Sequence, residues 1–308
     1  MGKIIEEVLI QEGYLNLKSM PLEKKVLYIL CPYGIGDTLY VASLIKSYKE
    51  YYQESRRVCL ILKESHSMIA DWFSAVDGKI VSNDVVEMLN IYMIATQTWK
   101  LNNFIYGHFK KTRELQLFPE YFEIADKNMV SRYKQLVYGL PLECELERLA
   151  VKNREVTAET EKYQVDKQTI IFMPHAVSCA PMPEVFWETL AGILTKLGYR
   201  ILTNVKDVSE AAVKGTEAIT GNLEEMIPIC ERCLMVIALR SGMCDVLALS
   251  ETLMVIINTR EDYYREWNVT DAVNRDGIMN LLCDEHHDVM SVTSEILALF
   301  DIKIEKEM

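Results

Sequence analysis

The chain has 308 residues, which at roughly 100–200 residues per domain accommodates two domains. Half of the residues are hydrophobic and a quarter are charged, a globular composition that excludes a disordered or fibrous protein. With 33 Lys and Arg against 45 Asp and Glu the formal charge is −12, so the chain has no general electrostatic drive toward nucleic acid or an anionic membrane.

In chain order, the first twenty residues place acids inside their apolar stretch and have no signal-peptide core. No apolar run reaches the roughly 20 residues of a bilayer span, so a cytoplasmic protein with at most peripheral membrane contact is expected. Val26 to Leu30 is a continuous apolar run, the pattern of a strand buried on both faces of a parallel sheet. It ends in Cys31-Pro-Tyr-Gly-Ile-Gly-Asp37. Val41, Leu44, Ile45, Tyr48 and Tyr52 then recur at helical spacing, and Val58 to Leu62 supplies a second strand, which completes a βαβ unit. Asp84 to Lys100 reads as a helix, and Leu101 to Ala150 is aromatic-rich without clear period.

Val151 to Lys167 is polar, lacks an apolar face and is taken as a linker, which puts the domains at 1–160 and 161–308. A second strand-loop-helix unit follows. Ile170 to Met173 is a short strand ending in Pro174-His175, and the loop to Pro183 leads to a helix with Phe186, Leu190, Ile193, Leu194 and Leu197 inward. Gly198 is a natural C-cap, and Arg200 to Thr203 is the next strand. Asn222 with Glu225 three residues on forms a capping box for a helix whose inner face is Leu223, Met226, Ile227 and Cys230. Leu234 to Leu239 and Leu253 to Ile257 are buried strands, separated by the turn Arg240-Ser241-Gly242 and a helix from Met243 to Ser250. Ser291 to Phe300 is an amphipathic terminal helix.

Eight cysteines are scattered through apolar segments, the usage of reduced thiols. Cys230-x-x-Cys233 lacks the second pair or histidines of a zinc site, so no metal is expected. Adjacent side chains diverge, so Glu285-His286-His287-Asp288 does not form one ion site. There is no Walker A loop, GxSxG elbow or HExxH motif.

Ligands of open parallel sheets bind at the carboxyl ends of strands, and three such loops carry suitable residues. In the first, Gly34 and Gly36 permit a tight turn and close backbone approach, and Asp37 reads either as a helix N-cap or as a general base. In the second, His175 is either a capped core histidine or a donor to a phosphate, and Ser178 offers a hydroxyl and an N–H. In the third, Arg240, Ser241 and Gly242, leading to Asp245, read either as an anion site or as an ordinary Ser N-cap beside a surface Arg. His108-Phe-Lys110-Lys111-x-Arg113 is a basic cluster that meets a phosphorylated acceptor or else forms a solvated helix face.

Three segments, Lys24 to Tyr52, Ile170 to Asn204 and Leu223 to Asn258, together resemble the lipopolysaccharide heptosyltransferases of glycosyltransferase family 9. The matching features are the strand leading to G-x-G-D, the strand ending in His-Ala before a Trp-containing helix and Gly-Tyr, and the Ser-Gly turn between a strand and a small-residue helix. The resemblance implies an α/β GT-B fold: two Rossmann-like domains facing a central cleft, with the C-terminal helix returning to the first domain. It implies a metal-independent glycosyltransferase with no cofactor, moving a hexosyl or heptosyl group from a nucleotide-sugar donor to a glycan, polysaccharide precursor or lipid-linked acceptor. Asp37 would be its catalytic carboxylate, and His175, Ser178, Arg240, Ser241, Gly242 and Asp245 its donor and phosphate residues. Two departures stand out: Arg240 occupies the position of the family's Asp, and the loop from Val177 to Pro183 contains no Lys or Arg. They make Arg240 the expected source of positive charge, and they carry the alternative of a degenerate GT-B protein that binds a nucleotide or glycan without transfer.

Overall fold

The computed structural model describes residues 2–20, 22–96, 100–101, 103–108, 128–149, 161–177, 179–207, 210–273, 275–284 and 288–300. The chain divides into two compact units, Met1–Val151 and Lys152–Met308. In the first, α1 (Gly2–Ser19) precedes β1 (Val26–Leu30), α2 (Ile35–Ser43), α3 (Ile45–Tyr52) and β2 (Arg57–Leu62). A 3₁₀ segment (Glu64–Trp72), β3 (Gly78–Val81), α4 (Asn83–Thr96), β4 (Lys100–Leu101), β5 (Phe104–Tyr106) and α5 (Met129–Arg132) follow. The last runs on as a π-helix over Tyr133–Tyr138. The sheet order is β3-β2-β1-β5-β4, parallel except for the short edge strand β4. All five residues of β1 are buried, as their unbroken apolarity requires of a central parallel strand. Val86, Leu89 and Met93 of α4 cover one face of the sheet through Tyr28, Leu30, Ile61, Phe104 and Tyr106. The single helix expected after β1 is broken at Leu44, the C-cap of α2 and N-cap of α3.

The second unit holds β6 (Thr169–Met173), α6 (Glu184–Lys196), β7 (Arg200–Asn204), β8 (Glu217–Ile219), α7 (Leu223–Arg232), β9 (Met235–Leu239) and α8 (Gly242–Ala248). They are followed by β10 (Met254–Asn258), α9 (Glu261–Glu266), α10 (Val269–Val273), β11 (Ile278–Leu282) and α11 (Val289–Ala298). Its sheet is parallel throughout, in the order β11-β10-β9-β6-β7-β8. The capping box forms: the Asn222 side chain accepts from the Glu225 N–H, and the Glu225 carboxylate accepts from the Asn222 N–H. Gly198 takes φ +93° past the end of α6, a conformation open to glycine.

Two expectations are corrected here. Part of the supposed linker belongs to the second unit: Tyr163 donates to Thr220 O, and Lys167 donates to the carbonyls of Glu231 and Cys233. Residues 151–160 lie outside the described part. Leu197 is not a core residue but the exposed C-cap of α6, and Trp187 takes the inner position instead. The terminal helix α11 packs Val292, Ile296 and Leu297 into the core of its own unit; residues 301–308 lie outside the described part.

Candidate functional site

In each sheet the chain steps outward from its first strand and then comes back to that strand's other side. It runs β1, β2, β3 and then β5 in the first unit, and β6, β7, β8 and then β9 in the second. The switch points between β1 and β5 and between β6 and β9 are where an open sheet leaves a crevice at its carboxyl end. The candidate residues fall at these two places.

At the first, Asp37 is neither the N-cap nor free. Gly34 is the N-cap of α2, Asp37 is the third helical residue, and its Oδ2 accepts the Gly34 N–H at 3.2 Å. Neither Gly34 nor Gly36 has a positive φ, so no left-handed turn is needed here; Gly34 is extended, at φ −73°. Oδ1 accepts the Tyr133 hydroxyl at 2.5 Å and lies 3.6 Å from His108 Nε2. His108 arrives by sheet geometry. The Gly107 N–H donates to Leu30 O at 2.8 Å, and a Cβ on Gly107 would stand 2.5 Å from that oxygen. Only glycine lets the end of β5 pass β1 this closely. The imidazole is 1% exposed and packs tilted against Tyr33, with ring centroids 3.9 Å apart. A solvated face for His108 is therefore corrected; residues 109–127, with Lys110, Lys111 and Arg113, lie outside the described part.

Tyr133 and Tyr138 open and close the π-helix. Residues five apart lie one above the other when hydrogen bonds run i to i+5, whereas an α-helix would turn them by about 140°. Tyr133 donates to Asp37 and stacks on Tyr40, and Tyr138 donates to Val41 O at 2.7 Å, both against α2. Burial pushes the Asp37 carboxyl up. The hydrogen bond and charge of His108, the Tyr133 hydroxyl and the Gly34 N–H outweigh it and bring the pKa below its usual value. Asp37 is thus held ionised, and its side chain keeps 20% of its surface exposed while His108 is sealed. His66, whose Nδ1 is 3.4 Å from Thr38 Oγ1, is pushed toward the neutral form by burial and by Lys63.

At the second switch point a pocket of about 500 Å³ is lined by His175 and Ala176 after β6, Asn204 at the end of β7 with Lys206 and Glu210 after it, and Ser241 and Gly242 after β9. Three of the expected residues, His175, Ser241 and Gly242, are therefore brought together. His175 is not a core histidine: its side chain is 53% exposed, with Nε2 3.6 Å from Glu210 Oε1. Ser241 is the N-cap of α8; its hydroxyl makes no cap bond and instead meets Cys244 Sγ at 3.8 Å. Lys206 was not singled out by sequence reasoning. It is exposed, and its ammonium makes no ion pair among the described residues.

Arg240 and Asp245 are corrected. Arg240 Nη1 and Nη2 donate to the two Asp245 oxygens at 2.9 and 2.7 Å, and Nε donates to Trp267 O at 3.1 Å. Both side chains are at most 5% exposed, and neither residue lines the pocket. Their charges cancel inside the unit, and the cation of the pocket is Lys206. Arg240 Nη1 also donates to Ser241 O at 2.6 Å, so the pair buttresses the turn from behind. Ser178 lies outside the described residues.

Among the described residues no group of three His, Cys, Asp or Glu could hold a metal ion, and no helix is long and apolar enough to cross a membrane. The cysteines are free, with Cys230 and Cys233 buried.

No protein-family model and no curated sequence matches the chain. Solved structures do. The Escherichia coli ADP-heptose lipopolysaccharide heptosyltransferase II superposes with a TM-score of 0.61 at 15% identity, covering 89% of this chain and 98% of that one. A glycosyl transferase family 9 structure from Veillonella parvula gives 0.62 at 13%, covering 90% and 92%. The E. coli heptosyltransferase WaaC with ADP-2-deoxy-2-fluoro heptose gives 0.60 at 13%, covering 89% and 99%. At these identities the likeness is one of fold. The chain has the α/β GT-B fold of these heptosyltransferases, as the three sequence segments implied.

Proposed function

We propose that this protein is a metal-independent glycosyltransferase that takes a hexosyl or heptosyl group from a nucleotide sugar and gives it to a hydroxyl of a glycan, polysaccharide precursor or lipid-linked acceptor. The observation that carries the reading is the pairing of chemistries at the two switch points: an ionised, partly exposed carboxylate in one unit, and a pocket with an ammonium that makes no ion pair among the described residues, an imidazole and a Ser-Gly turn in the other.

In this reading the second unit holds the donor. Lys206, His175 and Ser241 meet its diphosphate, and their donors oppose the charge that builds as the bond between the anomeric carbon and the phosphate oxygen breaks. Lys206 supplies the positive charge that a metal would otherwise provide. Asp37 takes the proton from the acceptor hydroxyl as that oxygen bonds to the anomeric carbon. A base below its usual pKa suffices, because the hydroxyl becomes acidic only as the new bond forms.

The test is a thermal-shift panel of ADP-heptose, UDP-glucose, GDP-mannose and dTDP-rhamnose, with release of nucleoside diphosphate followed in EDTA. One nucleotide class should raise Tm and be turned over, and Asp37→Asn should keep the shift while losing about 100-fold or more of the turnover. Undiminished turnover in Asp37→Asn sinks the assignment of the base. A Tm shift without turnover in either protein leaves a donor-binding protein, and turnover abolished by EDTA removes metal independence.

A further inference from the structure

Asp37 is held unequally at its two oxygens. Oδ1 meets the Tyr133 hydroxyl at 2.5 Å and His108 Nε2 at 3.6 Å, while Oδ2 accepts only the Gly34 N–H among the described residues. Tyr133 and His108 are buried and come from elements far apart in sequence, α5 with its π-helical extension and the end of β5, so the arrangement is not a local turn. His108 is itself wedged between rings, with Tyr33 tilted against it at 3.9 Å and Tyr133 edge-on at 5.8 Å. A hydroxyl and an imidazole sealed in this way cannot touch a substrate, but they can fix a carboxylate that does.

We propose that Tyr133 and His108 are positioning residues: they clamp the Asp37 carboxylate through Oδ1 and leave Oδ2 as the atom that takes the acceptor's proton. The clamp sets the direction of the remaining Oδ2 lone pair and keeps the carboxylate ionised where burial alone would favour the acid. The other groups facing the carboxylate are Cys31 and Tyr33 from the β1 loop and His66, with Lys63 near it, from the 3₁₀ segment. Burial holds the Cys31 thiol neutral and favours neutral His66, so neither replaces the clamp. The role of Oδ2 rests on the proposed function; the clamp itself does not.

The experiment is a carbon-13 NMR titration of the full chain labelled at aspartate Cγ, with the Asp37 signal assigned by its loss in Asp37→Asn. The Asp37 carbon should titrate below the ordinary aspartate range. In Tyr133→Phe, which keeps the ring against Tyr40 and His108, the midpoint should rise by about one pH unit. His108→Gln keeps a neutral donor but removes any imidazolium charge; it should also raise the midpoint, and it gives a second reading if the first variant does not fold. An Asp37 midpoint that stays within about 0.3 unit of wild type in a folded variant, by circular dichroism, overturns the clamp. Undiminished nucleotide-sugar turnover in Asp37→Asn would instead overturn the role of Asp37 as the base while the titration still reports the clamp, so the two fail separately.

Discussion

Asp37 shows how a residue's surroundings decide its charge. Its pKa lies below that of the unfolded chain, so its contribution to stability is fully present above the unfolded value near 3.9 and is lost as pH falls through the folded value. Urea melts should therefore show wild type more stable than Asp37→Asn at neutral pH, with the gap closing below about pH 4. Lys206 is the opposite case, an ammonium with no partner in the described structure. If it meets a diphosphate, Lys206→Gln should weaken nucleotide-sugar binding by roughly 10-fold or more, the worth of a hydrogen bond to a charged group, and leave Tm without ligand unchanged. Calorimetric titration with the nucleotide sugar that shifts Tm checks both. Arg240 gives a third pattern, since Arg240→Met strands Asp245 in the interior and should cost about 3–5 kcal/mol of folding stability.

Among the elements, those whose signals are local were legible in the sequence. β1 matches its apolar run residue for residue, and the Asn222–Glu225 capping box opens α7. These depend on patterns within a few residues. The charge pattern near Arg240 misled for the same reason: Asp245 is five residues on, and only the folded turn brings the two side chains together. His108 and Tyr133 were out of reach because they join Asp37 through a strand neighbour and a helix distant in sequence. The one usable signal was Gly107-His108 after the buried triplet Phe104–Tyr106, a glycine and a polar residue ending a strand. Lys206 had a similar signal, one residue beyond the buried Val205 that follows β7. The tight passage at Gly107 is testable. Gly107→Ala puts a methyl against Leu30 O and should destabilise the fold by about 1–3 kcal/mol, read by urea denaturation.

At the scale of the whole molecule, each unit has its own sheet and its own buried cluster. Damage should therefore stay where it is made. In native-state hydrogen exchange, Gly107→Ala should speed exchange in β1 and β5 and leave β6 and β9 at wild-type rates. Exchange raised equally in both sheets would show that the units unfold as one. The chain's −12 charge is spread over a molecule whose proposed donor is itself an anion, so attraction must come from local groups such as Lys206 rather than from the overall field. The π-helix also makes room for one residue more than an α-helix would hold at that place. Tyr133 and Tyr138 share a face only while four residues separate them in that wider winding. Deleting one of the four would let the segment relax into an ordinary α-helix with its tyrosines again on one side. The shorter segment would span about the same length, Gly139 and the residues after it would keep their places, and a single deletion should be tolerated within this turn before it is tolerated on either side.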